Sequence, residues 1–215
     1  MAGIFGSGRT SAPPVLATSL RLTTSLGGKP RPIIYGQARI APNIIDYAGF
    51  RASPVTQSGG KGGVLDGGGG KGQPTGYNYT VSLIASLGEQ ISQVLTIYNG
   101  SAVDCITAPS AGVLAALAAI GIVPTTGNTY SIEFHYGAPG QAVSAYWSSA
   151  FPARALAYRG QALAVFPNLG LGNSPTLPNF NFEVLGVINS DVPALGPDAN
   201  ASDVIPDLLT NAVYG

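Results

Sequence analysis

Few residues in this chain could do acid–base or metal chemistry, and their spacing limits how far that chemistry goes. His135 is the only histidine. It sits in Glu133-Phe134-His135-Tyr136, where strand-like alternation puts Glu133 and His135 together on the more polar face. That placement points to a solvated or hydrogen-bonded imidazole rather than a general base. A serine nucleophile would need His135 as its partner, yet no serine stands in a G-x-S-x-G elbow. Asp104, Glu133 and Glu183 could meet in space as a glycosidase-like carboxylate pair, but three carboxylates among ten is what chance supplies. A single cysteine, Cys105, excludes an internal disulfide and a cysteine-rich metal site, and it reads as a small buried apolar residue in a strand. No residue is therefore assigned a catalytic, cofactor-binding or metal-binding role.

Residues 58–76 form a glycine-rich stretch with Lys61 and Lys71, and a phosphate-cradling loop is the sharp hypothesis for it. The spacing fails. A G-x-x-x-x-G-K-[ST] loop ending at Gly70-Lys71 needs glycine at 65 and serine or threonine at 72, where the chain has Leu65 and Gly72. The following run, residues 77–83, reads as a strand rather than a helix, so the stretch is expected to be a mobile hairpin loop.

Composition describes the surroundings of these residues. At 215 residues the chain can bury a sizeable core. Hydrophobic residues make up 45%, but only 9% are charged, against about 25% in an average globular chain. So small a charged fraction suits a surface covered by other subunits as well as it suits a β-rich protein with polar, uncharged loops. Net charge is zero but divided: residues 1–75 carry eight of the ten basic residues against two acids, and the remainder carries two basic residues, Arg154 and Arg159, against eight acids. Without a Lys/Arg cluster interleaved with aromatics, nucleic-acid binding is the weaker reading. Head-to-tail contact between oppositely charged faces fits better. No segment reaches about 18 uninterrupted apolar residues; the richest, 108–123, is broken by Ser110 and Gly112.

The elements that must position these residues are mostly strands. Residues 1–14 read as a flexible arm, and strands are expected over 15–25, 33–40 and 44–50. Residues 77–87 and 93–98 read as two paired strands joined through Gly88-Glu89-Gln90, and Asn99-Gly100 turns the chain into a return strand over 103–107. A helix over 108–120, capped by Ser110, packs on the sheet. Further strands fall at 130–136, 158–166 and 179–185, the last alternating polar with apolar. Between the final two, Pro167, Gly170, Gly172, Pro175 and Pro178 require a turn. Residues 189–200 are a linker, and a helix starts at 202–211 with Ser202 as its cap. The fold class is β-rich α+β: antiparallel strands in a barrel-like or sandwich arrangement over residues 15–200, with a docked helix near 109–121.

Five separated motifs, in order, resemble the phage central tail hub, or tip attachment, family, which includes the lambda-type tail tip J protein and gene transfer agent hub proteins. Pro32, Tyr35, Gly36, Arg39, Asn43, Ile44, Tyr47 and Phe50 match one; the Gly/Lys loop a second; Glu89 and Ile91 a third, with Gln90 standing alone for the usual Gly-Pro. Tyr158, Gly160 and Ala162, leading through a polar loop to Leu177-Pro178 and Phe180 to Val184, match a fourth. Leu208 to Gly215 matches the fifth, with Ala212 replacing proline. In hubs this last motif lies inside the chain, so residues 201–215 are expected to lead into a further segment. The resemblance implies a non-enzymatic virion subunit at the distal end of the tail. It implies a homotrimeric ring contacting a distal tail ring, tip fibre or spike and tape measure, enclosing a channel that DNA passes without specific binding, and meeting the host surface indirectly. The alternative from another class is a carbohydrate-active or peptidoglycan-degrading tail-tip domain.

If the basic N-terminal third meets acidic surface of an adjoining copy, assembly weakens as salt rises, because screening shortens the reach of exposed charges. Light scattering across a salt series checks this, and salt-independent assembly contradicts it.

Overall fold

The computed structural model describes residues 16–21, 30–56, 74–99, 102–104, 132–187 and 198–212. The N-terminal arm, residues 58–73 of the glycine-rich stretch, Cys105, the expected helix over 108–120 and most of the 189–200 linker lie outside them. The fold is α+β and strand-rich, built from two antiparallel sheets that do not close into a barrel. In chain order the strands are β1 (Gln37–Ile40), β2 (Asn43–Thr56), β3 (Pro74–Gly88), β4 (Ile91–Asn99), β5 (Ala102–Asp104), β6 (Glu133–Tyr136), β7 (Ala162–Gly172) and β8 (Phe180–Gly186). One sheet has the order β2-β3-β7-β6 and the other β1-β8-β4-β5.

The sheets face each other across one core. Val81, Leu83, Ala85 and Leu87 of β3 and Ala162, Ala164 and Phe166 of β7 point into it from the first sheet; Ile91, Ile97, Phe180, Phe182 and Val184 point into it from the second. Phe166 stacks on Phe180 at 5.2 Å and meets Phe182 edge-on at 6.3 Å. The opposite face of the first sheet is also covered. There Ile84, Leu163 and Val165 pack on Trp147, which is carried by helix α1 (Ala145–Ala150). This double cover explains why residues 81–88 are buried without interruption. β8 has only one covered face, and its buried positions alternate along its whole length, as its sequence requires.

Several sequence expectations need correction. β3 and β4 do not pair: they belong to different sheets, and Gly88, at φ +124°, lets the chain turn the corner between them. Residues 33–36 are not part of β1, because Gly36 at φ +64° breaks the extended run. Among residues 16–21 there is no strand but a single parallel bridge, Arg21 to Thr176. β3 begins at Pro74, so the glycine-rich stretch gives way to paired strand before residue 76. Pro167 does not end β7. It lies in a bulge opposite Ser82, where the missing donor interrupts no ladder bond, and Asn168 at φ +46° turns its amide onto Ser82 Oγ at 3.1 Å. Among the described residues β6 pairs with residues 162–165 of β7 and does not reach the bulge at Pro167.

A second helix, α2 (Ala201–Thr210), is capped by Asn200 rather than Ser202: the Asn200 side chain accepts from the Ser202 amide at 3.2 Å. Residues 31–36 join the two sheets. The Pro32 carbonyl accepts from the Glu89 amide at 2.9 Å, and the Gly36 carbonyl from the Gly186 amide at 2.7 Å. A methyl at Gly88 would stand 2.5 Å from Pro32 O, and one at Gly186 would collide with the Ile34 carbonyl.

Gly186→Ala is therefore expected to lower stability by about 3 kcal/mol, the upper end of overpacking costs. Gly76→Ala, with open space at the same atom, should stay within about 0.5 kcal/mol. Urea midpoints of the two variants at equal m-value check the contrast.

Candidate functional site

Glu133 and His135 share one face of β6, as the alternation requires, and their hydrogen bonds reveal what they do. His135 Nε2 lies 2.9 Å from Glu133 Oε1. Ser144 Oγ donates to Glu133 Oε2 at 2.7 Å, and the Ala145 and Tyr146 amides donate to the same carboxylate at 2.9 and 3.3 Å. Ser144 Oγ in turn accepts from the Trp147 amide at 3.0 Å. Serine, histidine and a carboxylate are thus together, but the carboxylate sits between the other two. A nucleophile–base relay needs histidine in that position. The group instead closes the start of α1, where unpaired amides favour an anion, and so fixes Trp147 against the first sheet. Burial works to raise the Glu133 pKa, but the bonds from Ser144, the two amides and His135 outweigh it and hold the carboxyl below the usual glutamate value.

Glu183 lies on the outer face of the other sheet, so it does not pair with Glu133. It accepts from Tyr98 OH at 2.9 Å and from Gln37 Nε2, and Arg39 stacks over the Tyr98 ring at 3.9 Å. Burial, then the Glu183 carboxylate, push the Tyr98 hydroxyl above its ordinary range against the opposing pull of Arg39. The Asp104 side chain lies outside the described residues. Asp46 is bound by Arg154, which also donates to the Tyr47 carbonyl at 3.1 Å. Burial and the Asp46 charge raise the Tyr158 pKa, opposed by Arg154. Among the described residues no group of three His, Cys, Asp or Glu side chains could hold a metal ion, and no helix is long and apolar enough to cross a membrane.

Two polar residues that sequence reasoning missed hold the framework. Buried Gln141 accepts from the Gly137 amide at 2.7 Å and donates to the carbonyls of Ala157, Tyr158 and Gln161 at 3.0–3.1 Å. It thereby clamps the turn in which Tyr158 and Gly160 take φ +46° and +75°. Buried Ser82 meets Tyr146 OH at 2.7 Å as well as Asn168. Neither residue has a local pattern that announces its role, since their partners lie up to 86 positions away.

The described residues include a cleft, a wider groove and an apolar ridge. A cleft of about 140 Å³ lies between residues 33–35, Gln90, Pro139 and the Asp207 side of α2. A wider groove of about 590 Å³ runs past Pro30, Arg31, Pro32, Ile40, Ala41 and Ile45. The ridge is α2 itself. Tyr35 OH donates to Asp207 Oδ2 at 2.7 Å, so the helix is fastened by its polar side while Ile205, Leu208 and Leu209 are 56%, 43% and 73% exposed. The expected apolar side, Val204, Leu208 and Leu209, is thus covered only in part, at Val204.

No family model matches the chain, and no curated protein does. Among solved structures it is similar to a chain of "Virion of native gene transfer agent (GTA) particle", at 20% identity and a TM-score of 0.45. The match covers 96% of this chain and 37% of that one, so this chain spans well under half the length of its neighbour.

The Glu133 bonds fix a pH dependence. With its folded pKa depressed, Glu133 contributes stability that is fully present above the ordinary glutamate value of about 4.3 and lost as pH falls through the lower folded value. Glu133→Gln removes the charge and turns an amide toward the donors, at an expected cost of about 1–3 kcal/mol near neutral pH. Melting curves across the acid range should show the gap between wild type and variant closing as pH falls; a constant gap contradicts this role.

Proposed function

We propose that this chain is a structural, non-enzymatic subunit of a phage-type tail tip. In this reading residues 15–200 form the hub domain of a homotrimeric ring at the distal end of the tail. The ring links the tail tube to tip fibres or a spike, contacts the distal tail ring and tape measure, and encloses the channel through which DNA leaves without specific binding.

The observation that carries the reading is where the hub-like motif residues lie. Pro32 and Gly36 supply the two carbonyls that join the sheets, and Tyr35 fastens α2. Arg39 stacks on Tyr98, and Tyr158 and Gly160 take the positive φ angles of the Gln141-clamped turn. Phe180, Phe182 and Val184 are the inward residues of β8. Motif positions that specify a framework suit a protein whose task is to hold neighbours in place. The engagement of Glu133 and Glu183 by framework partners supports the same view.

Mass spectrometry of purified particles and immunogold labelling of intact ones test the role. The chain should be present in stoichiometric amount with label at the tail tip. Label on the capsid, or a chain missing from particles, would sink the proposal.

A further inference from the structure

We propose that the wider groove is a binding site for a small, uncharged molecule that carries a primary carboxamide on an apolar body. Such a site goes beyond the ring-subunit reading and does not depend on it.

The groove continues the outer face of the first sheet past the cover that α1 provides. Ile45 belongs to both places, since it packs on the cluster around Trp147 and lines the groove. Beyond it the face becomes polar. Asn43 stands opposite Ser86 in the β2–β3 ladder, Ser86 stands opposite Leu163 of β7, and Gln161 comes two residues before Leu163. At the two-residue period of a strand these side chains form a row across three neighbouring segments, and all three line the groove. Pro30, Pro32, Ile40 and Ala41 add apolar walls. The volume is about 590 Å³, within the range of about 300–1,000 Å³ for small-molecule sites, which are built in this way from an apolar lining and a few convergent polar groups.

Hydrogen bonding selects the ligand. Gln161 Nε2 donates to Ser86 Oγ at 2.6 Å, and Ser86 is only 6% exposed. That bond uses one donor of the amide and one lone pair of the hydroxyl. The Ser86 proton and Gln161 Oε1 remain, and no described residue takes them up. Turning the amide end for end exchanges the roles and still leaves one donor beside one acceptor. The pair is also held in place: the Gln161 amide donates to the Tyr158 carbonyl at 3.1 Å, and the Gln161 carbonyl accepts from Gln141 at 3.1 Å. A ligand that accepts and donates along one edge therefore matches it. A primary carboxamide does so, whereas a carboxylate only accepts, and a trans secondary amide carries its C=O and N–H on opposite edges. Charge gives the same answer. Arg31, the charged residue of the lining, is paired with Glu89 at 2.8 Å, so an ionised ligand meets no net charge.

The probe is benzamide, titrated into the full chain by ligand-observed NMR, with benzoate and N,N-dimethylbenzamide as analogues that keep the ring and lack the donor. Benzamide should bind with a dissociation constant of about 1–10 mM, the range open to so small a ligand. Each analogue should bind at least about tenfold more weakly, because it leaves the acceptor of the pair unmet. Ser86→Ala should weaken benzamide binding to the same extent. Ala41→Trp fills the groove from an exposed position without touching the pair, so it keeps the fold and should abolish binding; circular dichroism confirms that both variants fold. No benzamide binding at about 10 mM overturns the site. So do analogues that bind as well as benzamide, or an Ala41→Trp chain that binds it as the wild type does.

Discussion

The fold depends on a short length of backbone, residues 31–36, laid across the ends of both sheets. Its two anchoring bonds go to the amides of Glu89, just past β3, and Gly186, the last residue of β8. Because those strands belong to different sheets, the two bonds and the Arg31–Glu89 ion pair tie the halves of the sandwich together at one edge. The approach is close enough that Gly88 and Gly186 admit no side chain. What could have been a fifth strand of either sheet is instead the clasp between them.

The clasp also explains which parts of the fold were legible in the sequence. β8 has one buried and one half-buried face, so its period of two is written directly in Phe180, Phe182 and Val184. The apolar run of β3 marked it as a strand, but burial on both faces erases the period that would have indicated its neighbours. The corner at Gly88 looked like a hairpin for that reason: local residues specify a reversal, and only the distant carbonyl of Pro32 decides which sheet the next strand joins. Ile33 and Ile34 have strand propensity, and tertiary bonding overrides it.

The same division holds at the polar clusters. That Glu133 and His135 share a face follows from two-residue spacing and was readable. That Glu133 also takes Ser144 and two amides of α1 was not, because those donors arrive by way of the turn at Gly137, which Gln141 clamps. Pro167 misled for a physical reason: proline excludes a ladder donor, but a bulge position has no need of one. The bulge amide next to it is satisfied by Ser82, whose hydroxyl sits opposite on β3.

The attachment of α2 gives the energetic sense of the arrangement. A hydrogen bond such as Tyr35–Asp207 contributes about 0.5–1.5 kcal/mol net, whereas fully covering one leucine or isoleucine contributes about 1.5–3 kcal/mol. Ten residues are too few to hold a helix in water unaided. With its polar side inward, α2 leaves the apolar side chains Ile205, Leu208 and Leu209 exposed among the described residues. The Tyr35 contact, set beside the clasp at Gly36, orients the helix without consuming its apolar side.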